Sequence, residues 1–187
     1  MKPKLGFALC GSFCTHSKAL AVMRELAADY ELIPILSENA ASTDTRFGTA
    51  VMLKETVSGI SGRKPVMSIT EAEKFAASPL DYLIICPCTG NTAAKMANGV
   101  TDTAVTMAAK AHLRTDRPLL LALASNDAMS ANFCTIGTLL GRKQIYFVPM
   151  QQDDVVSKPH SLVADISRVP LALESMREGK QLRPLFL

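Results

Sequence analysis

No apolar run in this chain approaches the roughly 18 consecutive residues that a membrane span needs. Stretches such as Leu119–Ala124 stop far short of that, so a soluble protein is expected. The first residues carry two lysines and reach Gly11, Ser12 and His16 after a very short apolar segment, too little for the core and cleavage site of a secretory signal. No export is expected, and the cytoplasm is the expected compartment. Charge of one sign is missing too: 20 Lys and Arg stand against 17 Asp and Glu, a formal net charge of +3, and the basic residues are broken up by acids. Without a basic stripe, nucleic acid is not an expected partner. Low-complexity tracts, 20–50-residue repeats and a Pro-, Gly- or Ser-rich linker are absent; the ten prolines and ten glycines are scattered. Five cysteines, an odd number, in a chain able to bury its own core exclude a disulfide framework and fit a reducing compartment. Two phosphate-binding fingerprints, G-x-G-x-x-G and the Walker sequence, are also missing.

What the 187 residues do contain is 48% hydrophobic and 20% charged side chains, the profile of one globular domain over residues 1–187. Five segments are continuously apolar instead of alternating: Leu5–Cys10, Leu32–Leu36, Tyr82–Cys86, Leu119–Ala124 and Ile145–Val148. Strands covered by helices on both faces need that pattern. Between them, Leu20, Met23, Leu26 and Ala27 recur at intervals of three and four and predict a helix over Ser17–Asp29. Thr70 with Glu73 predicts a capping box opening a helix to about Ala77, ended by Pro79. Further helices are expected over Thr101–Leu113 and Ser161–Glu178, the latter kinked or delayed at Pro170. Gln151–Pro159 reads as a polar surface loop. The expected fold is α/β: a three-layer sandwich with a doubly wound, mainly parallel sheet, flavodoxin-like or Rossmann-like. Residues 180–187, with three Leu and one Phe, form a C-terminal tail that packs on its own domain or on another subunit.

In such a sheet, ligands bind beyond the carboxyl ends of the strands. Four loops stand there. Cys10-Gly11-Ser12-Phe13-Cys14-Thr15-His16 brings a glycine and hydroxyls to the start of a helix, either an anion site or an ordinary capped turn. Ser37-Glu38-Asn39-Ala40-Ala41-Ser42 follows the second strand, and Ser125-Asn126-Asp127-Ala128-Met129 the fourth. Cys86-Pro87-Cys88-Thr89-Gly90-Asn91-Thr92 gathers hydroxyls and an amide without bulk directly before a helix, a density that capping alone does not require. Asn98-Gly99 reads as that helix's end, with Thr101-Asp102 starting the next. The cysteines, spaced C-x3-C and C-x-C, do not match zinc-site spacing, so no metal is expected. Cys86 and Cys88, on one extended segment, are expected to point to opposite faces and not to pair. Of the three histidines only His16 lies in a candidate loop, as a general base or a capping residue. The methionines sit at helical spacing and read as core.

The stretch Pro87-Cys88-Thr89-Gly90-Asn91-Thr92, with Lys95 and Asn98-Gly99-Val100-Thr101-Asp102 after it, resembles in spacing and order the Pro-Ala-Ser/Thr-Ala-Asn-Thr … Asn-Gly-x-x-Asp signature of the flavoprotein family that includes the flavin-containing cysteine decarboxylases. The likeness spans roughly residues 4–150. It implies FMN, held by Gly11, Ser12, Phe13, Ser37, Asn39, Thr89, Asn91 and Thr92. Two departures set this chain apart from the decarboxylases. Their Pro-x-Met-Asn-x-x-Met-Trp segment is here Leu123-Ala124-Ser125-Asn126-Asp127-Ala128-Met129-Ser130, and no His occurs between His16 and His112, where they carry a catalytic one. The whole pattern most resembles the dipicolinate synthase B-subunit branch of spore-forming bacteria. That resemblance implies an oxidoreductase subunit that dehydrogenates dihydrodipicolinate to dipicolinate with an A subunit, weak or inactive alone, in the cytoplasm of the mother cell, and assembled as trimers. An FMN-dependent decarboxylase of a cysteine-containing substrate and a non-catalytic flavin-binding protein are the alternatives. Because no side chain accepts hydride, either FMN binds here or the partner supplies NAD(P). His16 and Asn126 are the catalytic candidates, and Arg46 and Lys95 the candidates for a substrate carboxylate.

Overall fold

The computed structural model describes residues 2–187. The five apolar segments are its parallel strands: β1 (Lys4–Leu9), β2 (Glu31–Leu36), β3 (Tyr82–Thr89), β4 (Leu119–Ser125) and β5 (Ile145–Phe147), in the order β2-β1-β3-β4-β5. Both faces of this sheet are covered. On β4, Leu119, Leu121 and Leu123 enter one core cluster while Leu120 and Ala122 enter the other. Strand periodicity is therefore two, as the pleat requires, yet every position is apolar because neither face meets water.

One face is closed by α4 (Ile69–Glu73), α5 (Gly90–Ala97), α6 (Ala104–Leu113) and α7 (Phe133–Leu140), whose Ala72, Met96, Ala108 and Ile136 pack on Ile85 and Leu121. The other is closed by α1 (His16–Leu26), α2 (Glu38–Ser42), α3 (Ala50–Ser61) and α8 (Val169–Arg177), with Met23, Ala40, Val57 and Leu173 on Phe7 and Leu120. Two prolines lie inside strands without breaking them. Pro34 sits on the edge strand β2, where Leu36, two residues on, sends its N–H outward to Val66; the N–H that Pro34 lacks would face the same way, not toward β1. Pro87 lies where the β3–β4 register shifts between Ile85 and Cys88, a bulge that already interrupts the ladder.

Several expectations are corrected. Gln151–Pro159 is not a loop: β6 (Met150–Asp154) and β7 (Lys158–Ala164) form an antiparallel hairpin, and β7 pairs with β4 at Ala124 and Ser125, beyond the short β5. Exposed on its outer half, this ribbon is held by backbone pairing and left no apolar signature to read. Ser161 is accordingly in a strand, and the helix expected from there starts late, at Val169 with Pro170 in its first turn, where a missing N–H costs nothing. The capping box belongs to Ser68 and Glu71, not Thr70 and Glu73. The helix expected from Thr101 starts at Ala104 behind its own box, Thr103 with Thr106. Residues 37–42, expected as a loop, form the capped helix α2, and helices α3 and α7 carried no expectation. The tail packs on its own domain, with Met150 N donating to Leu185 O and Leu187 N to Met150 O, both at 2.9 Å. Among the described residues no helix is long and apolar enough to cross a membrane.

Two substitutions grade these contributions. Leu121→Ala, at a fully buried position of the central sheet, is expected to cost about 2–5 kcal/mol, and Ser68→Ala, which removes only a cap, about 1 kcal/mol. Denaturant midpoints read the difference.

Candidate functional site

The strand order reverses between β1 and β3, where their outgoing chains part to opposite faces. Cys10 N donates to Pro87 O (3.2 Å) and holds the two strand ends together there. Beyond them the chain leaves a crevice of about 940 Å³, at the upper end of the range for small-molecule sites. Its walls come from the loop Gly11–Thr15, the loop carrying Arg46 and Phe47, the start of α5, residues 124–127 with Asn132, and the β6–β7 hairpin.

After β1 a short 3-10 turn, Phe13–Thr15, is tied by the Thr15 hydroxyl donating to Ser12 O (2.8 Å). The Ser12 hydroxyl has only a 4.0 Å contact with Cys14 Sγ. After β3, Thr89 caps α5, accepting from Thr92 N at 3.3 Å. The N–H groups of Gly90 and Asn91 precede the first intrahelical acceptor, so this turn presents unspent donors and the positive end of the helix dipole. From the capping residue a relay runs inward, as Thr89 donates to the Thr92 hydroxyl (3.1 Å) and Thr92 to Cys10 Sγ (3.4 Å). Burial pushes the Cys10 thiol up to about 11, and the Cys86 and Cys88 thiols up as well, so all three stay protonated.

Beside the first turn of α5, Asp127 is fixed at both oxygens: the Ser125 hydroxyl donates to Oδ1 at 2.5 Å and Asn132 Nδ2 to Oδ2 at 2.7 Å. These bonds, Ser125 first, hold its carboxyl below the usual carboxylate range. Gly90 makes the cluster possible, because a Cβ there would collide with Ser125 Oγ and stand 3.0 Å from Asn132 Nδ2. Arg46 stacks its guanidinium over Phe47, 4.9 Å from the ring centre. Lys158 pairs with Asp153 on the hairpin, and Lys18 reaches the crevice from α1.

The expected site residues separate into two groups. Gly11, Ser12, Phe13, Thr89, Asn91, Asn126 and Arg46 line the crevice. Thr92 is buried behind it in the relay to Cys10. Ser37 caps α2, accepting from Ala40 N, and Asn39 stands beside Gly11; neither faces the crevice. Lys95 is turned away, its ammonium 2.9 Å from both oxygens of Asp102. His16 does not face the crevice: its Nε2 lies 2.7 Å from Cys10 O, and a carbonyl only accepts, so that nitrogen carries the hydrogen. The ring borders a separate cavity of about 190 Å³ beside α3, and burial lowers its pKa. Residues not singled out as site residues are Asp127, Asn132, Lys18, Asp153 and Lys158. Asp127 lay within a recognised loop; the hairpin residues had no signal because their strands had none. No cluster of three or more metal-ligating side chains occurs among the described residues. Cys86 and Cys88 enter opposite core clusters only because the bulge between Ile85 and Cys88 shifts the strand; on a regular strand residues two apart share a face.

The family model described as Flavoprotein matches residues 1–161. This chain belongs to that family. The flavoprotein is 37% identical, over 98% of its length and 93% of the relative's, to the B subunit of dipicolinate synthase from Bacillus subtilis (strain 168). Its fold matches the crystal structure of the corresponding dipicolinate synthase B subunit from Bacillus halodurans with a TM-score of 0.90 at 35% identity, covering 100% of this chain and 98% of that one. The FMN-dependent cysteine decarboxylase SpaF shares the fold at a TM-score of 0.67 and 21% identity, covering 94% and 97%.

Cysteine reactivity and acid sensitivity both check this geometry. In the folded protein at mildly alkaline pH, iodoacetamide should modify the exposed Cys14 and Cys134 and spare Cys10, Cys86 and Cys88, as peptide mass mapping will tell. Asn132→Ala should lower stability at neutral pH. Because the bond holds the Asp127 carboxyl down, its contribution exists above the unfolded-state pKa and disappears as pH falls through the lower folded-state value. The deficit against the unaltered protein, read as denaturant midpoints, should therefore shrink in acid; a deficit constant with pH would contradict it.

Proposed function

We propose that this flavoprotein is the B-type subunit of a dipicolinate synthase, acting with a nicotinamide-binding A subunit to dehydrogenate dihydrodipicolinate to dipicolinate. The single observation that carries the reading is the 37% identity to a protein of that name along 98% of the chain, joined to a crevice whose walls suit a small dianion. Arg46 offers a forked donor to a carboxylate, with Lys18 as a second cation on the same crevice.

FMN, implied by the family, requires a seat for a phosphate and cover for a planar ring. The residues present fit both. Gly11 lines the crevice with no side chain of its own; Ser12 has a hydroxyl engaged only in the long contact with Cys14, and the first turn of α5 supplies N–H groups. Phe13 and Phe47 provide apolar cover. Gly11, Ser12, Phe13, Thr89 and Asn91 would hold the group, which when bound supplies a two-electron acceptor. Thr92 supports Thr89 from behind, and the capped α2 with Ser37 and Asn39 supports Gly11. A soluble enzyme of the mother-cell cytoplasm, assembled as trimers and weak without its A subunit, completes the proposal.

Purification of the chain alone and with its A subunit tests this reading. Dihydrodipicolinate oxidation with NADP should require both chains. Full activity of this chain alone would remove the two-subunit model, and carbon dioxide release from a cysteine-containing substrate would favour the decarboxylase. A flavin absorbance near 450 nm, roughly, reports whether FMN accompanies this chain.

A further inference from the structure

Dehydrogenation of a dihydropyridine ring has two halves. One ring C–H bond gives its electron pair and hydrogen as hydride to the acceptor, a nicotinamide or flavin. At the neighbouring ring carbon a second C–H bond breaks, its electron pair forming the new ring double bond and its proton passing to a base. The hydride half belongs to a cofactor. The proton half needs a side chain in the crevice, and His16 is not there, since its Nε2–H is committed to Cys10 O.

The titratable groups on the crevice are Cys14, Lys18, Arg46, Asp127, Asp153 and Lys158. Lys18, Arg46 and Lys158 are cations at neutral pH. Asp153 is paired with Lys158 on the exposed hairpin. Cys14 is exposed on the opposite loop, with no base beside it to take its proton. Asp127 differs from all of them. It is anchored through the Ser125 hydroxyl and the Asn132 amide, both bonds come from neutral donors, and no ion pair among the described residues includes it. Each oxygen accepts one hydrogen bond and keeps a second lone pair. Its rotamer is further set by the approach of Gly90, where no Cβ could fit, and by the Asp127 carbonyl, which accepts from Asn132 N (3.1 Å) and Ser130 N (3.1 Å).

We propose that Asp127 accepts the proton released as the ring is oxidised, with Ser125 and Asn132 as its positioning residues. The inference rests on the functional reading above. The carboxylate is fully ionised at neutral pH, so the accepting form needs no activation, and formation of an aromatic ring offsets its modest basicity. The proton then leaves to solvent through the open crevice, as Asp127 is half-exposed.

The test uses the complex with the A subunit. Asp127→Asn should lower kcat by about 10²–10⁴-fold with KM for the dihydrodicarboxylate little changed, in a complex that stays folded with a melting curve lowered only by the loss of a hydrogen bond to the carboxylate. In Asp127→Ala, added formate should restore turnover while leaving the unaltered complex unaffected, a rescue that loss of mere structure would not allow. In the unaltered complex the acid limb of kcat should lie in the carboxylate range, where the bonds from Ser125 and Asn132 favour the ionised form of Asp127; Lys18, Arg46, Asp153 and Lys158 are the other charged side chains on the crevice. A limb near 6.5, the ordinary imidazole value, full kcat in Asp127→Asn, or absence of formate rescue would overturn the assignment. If the unaltered complex does not oxidise the substrate at all, the functional reading falls and this inference with it; if it does, the variants judge Asp127 alone.

Discussion

Burial of the sheet on both faces is the constraint from which the other features of this protein follow. The central strands β1, β3 and β4 lie between two helical layers with almost no accessible surface, so polar side chains cannot be held along them without losing hydration. Chemistry is confined to the strand ends, and the chain places hydroxyls, amides and charges there and almost nowhere else in the layered core. The gap between the diverging ends of β1 and β3 is thus a consequence of strand order, and the crevice of about 940 Å³ is built around it.

Within that crevice surfaces of different electrostatic character meet. The Gly11–Thr15 loop and the first turn of α5 present N–H groups and hydroxyls, a surface suited to anions. Directly against that turn, beside Gly90, stands Asp127, a carboxylate held by Ser125 and Asn132. The segment carrying it is also the one in which this chain departs from the cysteine decarboxylases it resembles.

Much of the fold was legible because buried parallel strands have an unmistakable composition. All five apolar segments became strands, and the layered architecture follows from them. Where reading failed, local signals competed or were absent. Ser68 and Glu71 outcompeted Thr70 and Glu73 for the same helix start because Glu71 also accepts from the N–H groups of Met67 and Ser68. The β6–β7 ribbon has exposed, polar strands whose pairing with β4 depends on residues far away in sequence.

The amino-acid sequence by itself determined the five parallel strands, the family and the four segments at the sheet's carboxyl edge, because continuous apolar runs and short capped turns are local properties. Which loop residues face the ligand space was decided only by the tertiary structure. His16 and Lys95 have the right chemistry and neighbouring positions, yet one ring is drawn under the turn by Cys10 O and one ammonium is drawn away by Asp102. Asp127 became conspicuous only once Gly90, from another strand–helix junction, was seen to leave room for the side chains that hold it. Side-chain direction at a strand end depends on partners that sequence proximity does not reveal, so the site's location was readable and its working groups were not.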